Sequence, residues 1–173
     1  MCSDVKSEDA AAYGSQSAAP GGVLTFMSED DVLRAALGIA ARRFRTSRSV
    51  LSKPEDVAAC LRLRLGTSDV ENFGALLLDQ GNRVITDLQY AEGIAARCNV
   101  YLRVFLKDLM SHDRCTGVIL YHNHPAGQLS FSTGDIKLTG RFKTVLEAIE
   151  VRLLDHLIVT AEGYLSASSE GVL

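Results

Sequence analysis

Residues 116–127 read Thr-Gly-Val-Ile-Leu-Tyr-His-Asn-His-Pro-Ala-Gly. The run Thr116–Tyr121 is short, apolar and rich in branched side chains, which predicts a buried strand. Pro125 stops that strand, and Gly127 lets the chain turn back. A long helix is expected next, from about Thr133 to Ile149, with Ser132 and Asp135 spaced as a capping box at its start. Leu153–Thr160 (LLDHLIVT) then reads as a second buried strand, and Gly163–Ala167 as a short third one. Strand, helix and strand in this order predict an α/β sheet with helices on both faces.

Upstream, Glu71–Leu78 is an apolar strand bounded by Asp79, Gly81 and Asn82, and Arg83–Tyr90 is its hairpin partner. Gly93 marks a break, and Val100–Met110 carries helical periodicity through Val104, Leu106 and Met110. Pro54 suits the first turn of a helix that runs to about Leu65 and ends at Gly66. An earlier helix opens at Ser28, with Asp31 three residues on, and continues through Leu33, Leu37, Ala40 and Phe44 into the basic cluster Arg42, Arg43, Arg45 and Arg48. The expected organisation is a disordered tail over 1–27, a helical segment over 28–66 and a chemistry-bearing domain over 67–173. Residues 1–22 are rich in Ser, Ala, Gly and Asp and lack the apolar core of a signal peptide.

The chain has 173 residues, 47% hydrophobic and 23% charged, with 18 basic against 21 acidic side chains and a formal net charge of −3. Such a composition excludes a wholly disordered chain, a collagen-like chain and a small disulfide scaffold. The acidic balance argues against a bulk electrostatic nucleic-acid binder. No apolar stretch approaches the roughly 20 residues of a membrane span. Cys2, Cys60, Cys98 and Cys115 form no C-x-x-C pair, so reduced thiols in a cytoplasmic protein are expected.

The chemistry concentrates at the end of the first-quoted strand. In an extended chain, residues i and i+2 point to one side, so His122 and His124 can converge on one ion while Asn123 faces away. Asp135 arrives in the first turn of the next helix. Two imidazoles and a carboxylate suit zinc and leave a fourth position open, as a catalytic site requires. The same residues also read as a polar loop followed by a capped helix. Alternation sends Asp155 and His156 to opposite faces of their strand. They read either as a satisfied polar pair near the sheet end or as support behind a zinc ligand.

The pattern His122-x-His124-Pro125 … Ser132-x-x-Asp135 resembles the zinc motif of the JAMM (MPN-domain) metalloproteases, and the surroundings resemble the RadC-like branch of that superfamily. Val70-Glu71-Asn72-Phe73 is similar to its V-E-x-F strand, followed by Asn82-Arg83-Val84-Ile85 as in its hairpin. Asn99 to Arg103 resembles its V-x-P-R helix entry, and His122 to Gly127 its H-N-H-P-S-G loop. Leu154 to Val159 resembles its L-D-H-x-I-V strand, and Glu170 to Leu173 its ending. The likeness extends over roughly Val50–Leu173. Four positions depart from the pattern: Leu102 and Ala126 replace a proline and a serine, Val104 a glutamate, and Phe131 the proline before Ser132. The helix-hairpin-helix region of full-length RadC proteins is not recognisable, so the chain resembles the short form associated with mobile elements.

The resemblance implies a three-layer α/β/α domain with a mixed, cytidine-deaminase-like sheet. It implies one zinc ion per chain held by His122, His124 and Asp135, with Glu71 as general base and acid and Ser132 at the oxyanion. The implied activity is that of a zinc metallopeptidase or isopeptidase acting on a peptide or isopeptide substrate. A zinc deaminase would need H-x-E and P-C-x-x-C, which are absent. The alternative is a nucleic-acid-associated accessory protein of a mobile element, suggested by Arg42–Arg48 with Arg62 and Arg64. The same cations also suit a solvated helix end.

Overall fold

The computed structural model describes residues 28, 29, 31, 32, 35, 36, 38, 39, 54–92 and 98–173. The expected tail, the Arg42–Arg48 cluster and the Gly93 break lie outside the described residues. The chain divides into two units, Met1–Arg34 and Ala35–Leu173. In the first, Ser28 Oγ accepts the Asp31 N–H at 3.2 Å and donates to Asp31 Oδ2 at 2.7 Å, so the expected helix opening is formed.

The second unit contains, in order, α1 (Pro54–Leu65), β1 (Asn72–Leu78), β2 (Val84–Glu92), α2 (Cys98–Leu109), β3 (Gly117–Asn123), α3 (Thr133–Glu147), β4 (Arg152–Val159) and β5 (Tyr164–Ser166). The five strands form one sheet in the order β2-β1-β3-β4-β5. β1 is antiparallel to β2 and β3, β3 is parallel to β4, and β5 returns antiparallel to β4, which makes the sheet mixed. The parallel step is the one that α3 bridges, as a parallel pair requires a crossover.

Strand alternation sorts the core into two layers. Ala75 and Leu77 of β1 and Val118 and Leu120 of β3 face α2 and α3, where Phe105, Leu109, Phe142 and Leu146 cover them. Leu76, Leu78, Ile119 and Tyr121 face the other way, onto Val57, Ala58, Leu61 and Leu65 of α1. This is the expected α/β/α architecture, and each fully buried leucine in it contributes on the order of 2 kcal/mol. Among the described residues no helix is long and apolar enough to cross a membrane.

Two arginines tie α1 to the sheet. Arg62 donates to the Thr160 and Ala161 carbonyls at 3.3 and 2.6 Å. Arg64 pairs with Asp87 and donates to the Tyr121 hydroxyl at 2.8 Å, which in turn donates to Asp87 at 2.6 Å. Both side chains are therefore engaged within the domain.

A bulge in β4 decides which residues face the site. Val118 pairs with Leu153 but Ile119 with Asp155, so Leu154 is the extra residue. Asp155 and His156 still point to opposite faces. Asp155 accepts from Ser166 Oγ at 2.6 Å and from the Ser168 N–H at 3.0 Å, which anchors the turn after β5. His156 points to the α3 side.

Candidate metal centre

The strand predicted over Thr116–Tyr121 extends through Asn123, because His122 and Asn123 continue the ladder with Ile158 and Val159 of β4. The His124 N–H then donates to the Val159 carbonyl at 3.2 Å, so the residue after β3 stays tied to β4. The loop that follows closes with the Gly127 N–H on the His124 carbonyl at 2.9 Å, and Gly127 takes φ +75°, a conformation natural to glycine. Ser132 caps α3: its Oγ accepts the Asp135 N–H at 3.1 Å, while Asp135 Oδ2 accepts the Ser132 N–H at 2.7 Å. The cap holds the Asp135 carboxylate rigidly, with Oδ1 3.6 Å from His122 Nε2 and Oδ2 3.9 Å from His124 Nε2. Glu71 immediately precedes β1, beyond the last β1–β3 backbone pair, Phe73 with His122. Glu71, His122 and His124 each bring a donor atom within 4.8 Å of the others, a grouping able to hold a metal ion.

A chain of hydrogen bonds links the imidazoles, and with the Thr139 hydroxyl turned to α3 it leaves both outer ring nitrogens as acceptors. Thr139 Oγ1 donates to the Asp135 carbonyl at 2.7 Å, one turn back along α3. It is therefore an acceptor toward His156 Nδ1, 2.6 Å away, and His156 carries its proton there. His156 Nε2, 2.9 Å from His122 Nδ1, must then accept, which places the His122 proton on Nδ1. His124 Nδ1 donates to the Gln128 carbonyl at 2.7 Å. In that arrangement the Nε2 lone pairs of His122 and His124 face each other, their nitrogens 2.8 Å apart and flanked by carboxylates. Two acceptors so close call for a cation between them, and the donor set of two imidazoles with carboxylates fits a divalent ion of zinc type.

Burial pushes His122 down to about 4; Asp135 opposes that shift and His124 adds to it. Burial also holds His156 well below the usual histidine range, reinforced by His122 and His124. Both rings are thus held toward the neutral form, the form in which an imidazole nitrogen can bind a metal. Phe131 lies 5.7 Å from His156 and Phe73 6.2 Å from it, ring edge to face. Phe131 is one of the four departures from the JAMM pattern, and here it helps to enclose the buried histidine.

His122, His124, Asp135, Glu71 and Ser132 are thus gathered at the end of β3 and the start of α3. The sequence left the partner of His156 open, and Thr139 carried no expectation. Its only signal is the spacing of four from Asp135, which puts the two on one face of α3.

The RadC-like JAB domain family matches residues 51–172, and the chain belongs to that family, within a metallohydrolase-like superfamily. A UPF0758 protein of Burkholderia cenocepacia is 38% identical over 126 residues, which is 73% of this chain and 49% of that protein. One from Acidovorax sp. is 36% identical over 143 residues, 82% of this chain and 59% of its own length. One from Leptothrix cholodnii is 37% identical over 144 residues, 82% and 64% respectively. The chain therefore spans between half and two-thirds of the length of these curated relatives.

Proposed function

We propose that the protein is a zinc-dependent hydrolase of peptide or isopeptide bonds, with His122, His124 and Asp135 as the ligands and Glu71 as the proton carrier. The observation that carries this reading is the pair of Nε2 atoms 2.8 Å apart with carboxylates alongside. When bound, a zinc ion supplies Lewis acidity, lowering the pKa of water toward about 7 and drawing charge from a carbonyl oxygen. Glu71 then takes the proton of the attacking water and returns it to the leaving nitrogen. Ser132 Oγ accepts from the helix backbone and keeps its own proton to donate to the developing oxyanion. His156 holds His122 in the ligating tautomer. The buried thiol of Cys115 is in keeping with a reducing, cytoplasmic setting.

Elemental analysis tests the ligand set. Wild type should carry one zinc per chain, and His122→Ala and Asp135→Ala should carry little. Equal zinc in all three sinks the assignment. Glu71→Gln should fold and retain zinc at saturation, yet lose about 10²-fold or more in turnover on a screened peptide and isopeptide panel. The nucleic-acid reading loses two of its cations, since Arg62 and Arg64 bond within the domain. A salt-dependent DNA titration separates it from the hydrolase reading.

A further inference from the structure

Asn123 stands between the two histidines, and alternation turns its side chain away from theirs. It is 1% exposed and makes two bonds: Oδ1 accepts the Asn72 N–H at 2.7 Å, and Nδ2 donates to the Val70 carbonyl at 3.0 Å. Those two backbone groups flank Glu71. The β1–β3 backbone ladder ends at Phe73 with His122, and one further step in the same register would set Asn72 against Asn123. There the carboxamide takes over from the backbone, because it offers the same C=O and N–H pair as a peptide group.

In an extended chain the carbonyl of residue i−1 and the N–H of residue i+1 point to one side. A single amide gripping both fixes the two backbone torsions of residue i, here Glu71. Asn72 Nδ2 braces the same turn through Ser68 Oγ at 2.9 Å and the Val70 carbonyl at 2.8 Å. β3 and the residue just after it therefore carry both imidazoles and the clamp on the segment that bears the carboxylate.

We infer that Asn123 is a positioning residue, whose carboxamide sets the Glu71 carboxylate against the His122–His124 pair. This rests on the metal-site reading above. The test is a double-mutant cycle on the affinity of the metal-free protein for Zn²⁺ alone, read by competition with a chelator. Asn123→Ala does not change the net charge, so a change in affinity reports geometry. A carboxylate near a divalent cation attracts it whether or not it is bonded to it. Glu71→Gln should raise the Kd about 10-fold, Asn123→Ala about as much, and the double variant no more than either alone. A merely structural role for Asn123 would make the two effects multiply, to roughly 100-fold, and would overturn the inference. So would an unchanged Kd in either single variant. A folded wild type that binds no Zn²⁺ overturns the metal-site reading and this inference with it; a null at Asn123 alone overturns only the inference. Should Asn123→Ala fail to fold, Asn123→Ser, too short to bridge both backbone groups, carries the same cycle.

Discussion

Ser132 combines two tasks in one hydroxyl. As the cap of α3 it contributes about 1 kcal/mol, which Ser132→Ala should forfeit in chemical denaturation. If its proton also serves the oxyanion, turnover should fall by about 10²-fold or more with zinc retained. Unchanged turnover leaves only the cap. His156 is the other informative side chain. His156→Leu keeps an apolar volume between Phe73 and Phe131 but removes the acceptor for the His122 Nδ1 proton. Zinc affinity should drop about 10- to 100-fold in a chelator competition; an unchanged affinity means that the tautomer needs no holding. The convergence of His122 and His124 was legible because a spacing of two on a strand has one geometric meaning, and the placement of Asp135 because its capping spacing is local. The division of labour between Asp155 and His156 was not, because it depends on what packs against each face of β4.

At the scale of elements, the strands were legible as apolar runs and their ends were not. β3 runs on through Asn123 because β4 supplies partners that no local pattern announces. Gly74, at a register irregularity of the β1–β2 pair, is closely approached by other strands. A Cβ at Gly74 would lie 2.2 Å from the Tyr121 hydroxyl oxygen and 2.7 Å from the Leu88 carbonyl oxygen. Gly74→Ala must therefore push Tyr121 out of its bonds to Arg64 and Asp87. A loss of about 1–3 kcal/mol is expected in urea unfolding. A neutral result would show that β1 and β3 yield without cost.

Across the whole molecule, the alternation of apolar strands and helices foretold the layers, but the strand order required pairings between distant segments such as Phe73 and His122. The layer formed by α1 is testable as part of the same cooperative unit. Leu61, 0% exposed, is packed with β1, β3 and β4 side chains, and Leu61→Ala should cost about 2–5 kcal/mol in one unfolding transition. Two separate transitions would mean that α1 melts apart from the sheet. The metal-capable residues come from the segment before β1, from β3 with the loop after it, and from α3, so only the folded chain assembles them. On the proposed function zinc would be a ligand of the native state, and mass action would make it a folding cofactor as well. At a free concentration 100 times its Kd it should add about 2.7 kcal/mol to stability, less whatever the unfolded His122–His124 pair still captures. The melting temperature should accordingly climb with added zinc and fall with chelator, and in Asp135→Ala it should respond to neither.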